Sequence, residues 1–140
     1  SFTISDVDLR FLSPLKNYDD LNESSAVVML SFKGRRILLT GDISKEVEND
    51  ILDKNIDVKA DVLKVAHHGS YSSTSKRFLS SVNPVVSIIS VGKDNPYGHP
   101  HKSTLKNLES HHTKIFTTMD NGHIAIVVTK EGRMKLYTQK

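Results

Sequence analysis

Three stretches of this sequence end in side chains that can do chemistry: "LLTGD" in Asp42, "LKVAHHGS" in His67 and His68, and "SVGKDNPYGHPH" in His99 and His101. The first two close apolar runs, and the third follows the run "VVSIISV". An apolar run that stops at imidazoles, a carboxylate or a glycine reads in one of two ways. It is a metal or phosphate site at a strand end, or a polar turn rich in His. His and Asp together suit zinc, manganese or iron. In open α/β sheets, ligand sites gather at strand C-termini, where the loops converge. The three stretches would meet there if their strands are parallel neighbours. The chain has no cysteine, so thiolate sites and disulfides are excluded and any metal must use His and carboxylate ligands.

Each residue also has a plain structural reading. Asp42 lies just before Ser44 and could be an ordinary loop or helix-capping acid. His67 and His68 could form a solvated turn, and adjacent residues point to opposite sides of an extended chain, so both cannot easily ligate one ion. His99 and His101 are two apart and could face one way, but Pro100 sits between them. His111 and His112 fall at a helix end and suit its C-terminal dipole or solvent. His123 starts a strand after a turn and reads as structural.

The elements that must position these groups follow from the hydrophobic pattern. "VDLRFL" (7–12) alternates as a strand and stops at Ser13-Pro14. Residues 25–32 and 35–41 are β-rich and joined by Lys33-Gly34, a tight hairpin turn. Val47, Ile51 and Leu52 recur among charges after Ser44, which predicts an amphipathic helix over 44–54. A strand is expected over 60–66, a short helix over 75–82 and a strand covered on both faces over 85–91. A helix follows over 102–110. "KIFTT", "HIAIVVT" and "RMKLYT" are expected as closing strands, joined by turns at Asp120-Asn121-Gly122 and Lys130-Glu131-Gly132. Strands alternating with helices, with hairpins at both ends, make a mixed-sheet α/β protein.

Bulk properties fit one domain. The chain has 140 residues, 37% hydrophobic and 25% charged, which describes an ordinary folded protein with a real core. A net charge of +3 with no basic run is compatible with a polyanionic substrate but does not argue for one. Apolar runs such as "AVVML" fall far below the ~20 residues needed to span a bilayer. No basic segment followed by an apolar one opens the chain, so no signal peptide is visible. The first residue is Ser1 rather than Met, as in a processed protein or an excised piece of a longer one.

The combination is more specific than its parts. "NESSAVVMLSFKGRRILLTGD", then "DVLKVAHHGSYSSTS", then "NPYGHP", then "TTMDNGHIAI" resembles the C-terminal metallo-β-lactamase-like domain of the ComEC family of DNA-uptake channel proteins. The resemblance implies the second half of a metallo-β-lactamase-type αβ/βα sandwich, with residues 1–140 as a single partial domain. The superfamily's His-x-His-x-Asp-His constellation, which takes a variant form in the ComEC group, does not occur in this sequence. Family order places it upstream of "LLTGD".

The resemblance further implies that Asp42 is a carboxylate bridging two metals, zinc or manganese. One of His67 and His68 is then the late ligand, with His68 favoured because Gly69 follows it, and His67 orients it or faces substrate. Ser70 and the hydroxyls after it would bind phosphate. His99 would sit at the rim, contacting a scissile phosphate or protonating the leaving oxygen. The implied parent is a metal-dependent nuclease acting on DNA during uptake, tethered to the membrane. Its partners would be the other half of the domain, the membrane channel and DNA. The fragment itself is expected to be inactive and able to dimerise. The alternatives are a free-standing hydrolase of a small phosphodiester or ester, and a non-catalytic nucleic-acid-binding domain of the same fold.

Overall fold

The computed structural model describes residues 1–139. Its main element is a seven-stranded sheet in strict sequence order: β1 (Phe2–Ile4), β2 (Val7–Ser13), β3 (Val27–Phe32), β4 (Arg35–Leu39), β5 (Val62–Lys64), β6 (Val86–Ile89) and β7 (Lys114–Thr117). The first four strands pair antiparallel, and β4 to β7 pair parallel. The parallel half needs crossovers. These carry α1 (Lys45–Asp53), α2 (Lys76–Val82) and α3 (Lys102–Ser110). The mixed α/β class expected of the sequence is the class observed.

Alternation along the strands sets the core. Leu12, Val27, Met29, Leu38 and Leu63 point to one side and pack with Val47 and Ile51 of α1, Phe78, Leu79 and Val82 of α2, and Leu108 of α3. The register Phe11–Val28–Leu39 runs along the opposite side, where Phe11 is 54% and Leu39 38% exposed. That side is only partly covered.

The α1 expectation holds to its cap, because the Ser44 hydroxyl accepts the Glu46 N–H at 3.2 Å. Other bounds shift. The strand expected over 60–66 pairs only over 62–64, because the chain turns sharply over Ala66–Gly69. Strand β1 went unread, being too short to show a period. The closing strands also differ from expectation. Asp120-Asn121-Gly122 do not form a hairpin turn. Thr117 caps a one-turn helix α4 (Thr118–Asn121), its hydroxyl accepting the Asp120 N–H at 3.1 Å. The chain therefore leaves the main sheet after β7. Strands β8 (His123–Val128) and β9 (Met134–Gln139) pair only with each other as a separate antiparallel hairpin. Its tip reaches the β3–β4 turn, where Arg35 Nε donates to the Gly132 carbonyl at 2.8 Å. Among the described residues no helix is long and apolar enough to cross a membrane.

Candidate metal and phosphate site

Strands β4, β5 and β6 are adjacent and parallel, so the segments that follow them emerge at one end of the sheet. Asp42 lies three residues past β4. Its backbone N–H donates to Ser25 Oγ at 3.2 Å. Gly41 is what permits this approach. It has φ +56, and a Cβ there would meet Ser25 Cβ at 2.7 Å. Ser25 belongs to the "ESS" loop, so that loop and "TGD" hold one another.

After β5 the backbone does something the extended-chain argument did not anticipate. His67 (φ 48) and His68 (φ 53) both adopt left-handed geometry, followed by Gly69 at φ +83. Two successive non-glycine residues in this region cost about 1–3 kcal/mol each and persist only where surroundings over-determine them. Here they do. His67 N–H donates to the Gly41 carbonyl at 3.1 Å, Ser70 N–H to the His67 carbonyl at 2.8 Å, and His101 N–H to the Gly69 carbonyl at 3.0 Å. Ser73 Oγ donates to the Ala66 carbonyl at 3.1 Å. Gly69 packs so closely on the rim loop that a Cβ would meet Pro100 Cβ at 2.7 Å. The turn is thus tied to the β4 end on one side and to the His99–His101 loop on the other.

The result brings four predicted residues together. Asp42 Oδ2 lies 3.8 Å from His68 Nε2. His68 Nδ1 lies 2.7 Å from the Ser90 carbonyl, which can only accept, so Nδ1 carries the proton. In the neutral ring Nε2 then presents its lone pair toward the carboxylate. Two acceptors facing each other need a proton or a cation between them, and a His oriented through its other nitrogen is how metal-ligating imidazoles are commonly held. His67 and His99 complete the cluster, with ring centroids 5.8 Å apart. Burial, together with His101, His67 and His68, holds the His99 ring below the usual imidazole range, and Asp42 opposes this only in part.

Two shallow clefts flank this ridge. One, of about 190 Å³, is lined by His68 and His99 among others. The other, of about 220 Å³, is lined by Asp42 and His67 with Asp20 and Glu23. The predicted phosphate binder Ser70 is buried, and its hydroxyl is engaged with Ser72 Oγ at 2.9 Å. His101 accepts the Tyr71 N–H on Nδ1 at 3.3 Å, and its ring lies 4.8 Å from that of His99. His111 donates from Nδ1 to the Asn107 carbonyl at 2.9 Å, as a helix-end histidine should.

Some contributors were not read from the sequence. Glu48 of α1 is fully buried and accepts the N–H groups of Thr74 and of Ser75, the latter at 2.9 Å. It thereby fastens the hydroxyl-rich loop that follows the histidines. Burial pushes its carboxyl above the usual range, although both hydrogen bonds pull the other way. Lys64 is another. Burial holds its ammonium below the ordinary lysine range, Asp42 counteracts this, and Nζ donates to the Val65 carbonyl at 3.0 Å.

Among the described residues no three His, Asp or Glu side chains converge on a point that could hold an ion. The donor chemistry of Asp42 and His68 fits a divalent metal, but as two ligands of a larger shell.

A strand-end aspartate facing a strand-end histidine across adjacent parallel strands places the chain in a known class. It belongs to the metallo-beta-lactamase superfamily, whose model matches residues 3–93. Its relatives include ComE operon protein 3 of Bacillus subtilis, 40% identical over 122 residues, covering 86% of this chain and 16% of that protein. Recombination protein 2 of Haemophilus influenzae is 37% identical over 105 residues, covering 75% of this chain and 13% of that protein. Competence protein ComA of Neisseria gonorrhoeae is 32% identical over 138 residues, covering 94% of this chain and 20% of that protein. The chain therefore spans a fifth or less of the length of these relatives.

Proposed function

We propose that this chain forms part of a metal-dependent phosphodiesterase domain that cleaves DNA during competence-related uptake. The observation that carries the reading is the 3.8 Å pairing of Asp42 with His68, in a chain whose relatives include a competence protein and a ComE operon protein. Asp42 and His68 would hold the metal, with the His68 ring set by the Ser90 carbonyl. His67, on the Asp42 side of the ridge, faces substrate. His99, at the rim of the cluster, contacts a scissile phosphate or protonates the leaving oxygen. Zinc or manganese, when bound, would polarise the phosphodiester and supply hydroxide near neutral pH. Ser70 serves this reading through the turn it shapes, since its hydroxyl is already engaged.

A catalytic ion needs about three protein ligands. On this reading the rest come from another part of the parent protein, which also supplies the membrane channel and covers the partly open sheet face. The chain is then one half of a domain, tethered to the membrane through that parent. The test is a nuclease assay on the complete domain loaded with zinc or manganese. Cleavage of DNA that disappears with Asp42→Ala supports the reading. Cleavage confined to small phosphodiesters points to a free-standing hydrolase, and DNA binding without cleavage points to a binding domain.

A further inference from the structure

The loop between β6 and α3 carries a ring that the reaction does not need. Tyr97 is 74% exposed, yet its ring lies within 24° of the plane of His99, with centroids 5.7 Å apart. His99 in turn lies within 22° of the plane of His68, at 6.3 Å. Near-parallel rings therefore lead from the loop to the imidazole that faces Asp42. Tyr97 and His99 also wall the 190 Å³ cleft, whose other sides are His68, Val91, Gly92 and Asn95. That volume lies well below the ~300 Å³ at which drug-sized ligand sites begin, and suits one planar ring system.

The cleft has little with which to read the edge of such a ring. The Asn95 side chain donates to the Gly92 carbonyl at 3.1 Å and to the His99 carbonyl at 2.7 Å, and accepts the His99 N–H at 3.0 Å. Those bonds also fix the loop, so the Tyr97 platform is attached to a held frame. With that amide engaged, the cleft offers chiefly the faces of its rings, and stacking on a ring face is tolerant of sequence.

We propose that Tyr97 and the cleft it walls hold one unstacked nucleobase of a single-stranded nucleic acid, beside the phosphodiester that lies at Asp42 and His68. The inference rests on the phosphodiesterase reading for the position of that phosphate, but not for the stacking itself. A paired base keeps its faces covered by its neighbours, so the slot selects single strands over duplex. It tolerates any base, because every base presents a π-face. It contacts no sugar, so ribose and deoxyribose strands bind alike at this position.

The experiment is fluorescence anisotropy of the 140-residue chain with labelled oligothymidylate and oligouridylate of about 10 nucleotides, in chelator so that no cleavage intervenes. Tyr97→Ala should weaken binding by about tenfold, the worth of one stacked base, while Tyr97→Phe keeps wild-type affinity. An oligomer of abasic residues should bind the wild type as weakly as the bases bind Tyr97→Ala. Equal binding of bases and abasic residues, or no loss in Tyr97→Ala, overturns the slot. So does the absence of any oligonucleotide binding. Cleavage is read separately on the metal-loaded complete domain. Base-dependent binding without cleavage leaves the slot standing and removes the nuclease reading. Cleavage indifferent to Tyr97 and to the neighbouring base does the reverse.

Discussion

Asp42 Oδ2 and His68 Nε2 face each other at 3.8 Å, while the other nitrogen of that imidazole is fixed on the Ser90 carbonyl at 2.7 Å. The pair is a poor structural device, and on the proposed reading it serves as two metal ligands. The Asp42 side chain is 36% exposed, and no carboxylate hydrogen bond to the core accompanies the contact. Asp42→Ala should therefore abolish phosphodiester hydrolysis by the complete domain while changing unfolding free energy by less than about 1 kcal/mol. Turnover and denaturant midpoints measured on the same preparation check both halves. Full activity in Asp42→Ala would remove the bridging role.

His99 occupies the rim rather than the ligand pair. Its nearest ring neighbours are His101 at 4.8 Å, Tyr97 at 5.7 Å and His67 at 5.8 Å. His99→Ala in the complete domain should slow turnover while metal content, read by atomic absorption after dialysis, stays at the wild-type level. Loss of metal along with activity would make His99 a ligand instead.

Gly69 tests the turn itself. Its φ of +83 and the 2.7 Å approach to Pro100 leave no room for a methyl group. Gly69→Ala should cost stability and push the His67–His68 turn away from the His99 loop, so that activity falls further than thermal stability explains. Paired melting curves and turnover numbers decide it. An alanine variant with native activity would mean that the rim loop yields freely.

The sequence made the three strand ends legible because apolar runs that stop at Asp and His are visible without a fold. That their strands are parallel neighbours was left as a condition, which the pairing of β4 with β5 and of β5 with β6 meets. The backbone after β5 was not legible. The argument that adjacent histidines diverge assumes an extended chain, whereas His67 and His68 both turn left-handed. That geometry is imposed from Gly41, Ser90 and His101, none of which lies within the local pattern. Glu48 was readable in principle. It stands three residues before Ile51 and four before Leu52, on the apolar stripe of α1, where a carboxylate needs donors. Only the fold shows that those donors come from the loop after the histidines.

That buried carboxylate gives a pH prediction with a definite sign. Burial raises the Glu48 carboxyl in the folded state above its ordinary value of 4.5, so the native chain holds its proton more tightly than the unfolded chain. The stability it contributes is fully present below pH 4.5 and is lost as pH rises through the folded value. Glu48→Gln cannot titrate. The wild-type denaturant midpoint minus that of Glu48→Gln should therefore fall as pH rises above 4.5. A flat difference would mean that the Thr74 and Ser75 N–H groups offset the burial fully. Glu48→Ala leaves both donors unpaired and should cost about 1–3 kcal/mol at low pH, a cost that shrinks as pH rises, because alanine does not titrate either.

The last prediction concerns the 140-residue chain by itself. On the proposed reading Asp42 and His68 would supply two ligands where a catalytic ion needs about three, and among the described residues no third converges on them. Zinc held by such a pair keeps mostly water in its shell and exchanges readily. Meanwhile the Phe11–Val28–Leu39 row lies on a partly open sheet face, with its outer members 54% and 38% exposed. An apolar strip of this kind favours a second copy wherever its usual cover is lacking. The isolated chain should fold, elute as a dimer or larger, retain less than one equivalent of metal after dialysis, and leave DNA uncut. Circular dichroism, size-exclusion chromatography with light scattering, metal analysis and a nuclease assay test the four parts separately. Phe11→Ser should shift the elution toward monomer without altering metal content. Tightly held stoichiometric metal with Asp42-dependent cleavage would instead make this chain a complete enzyme, its remaining ligands drawn from a second copy.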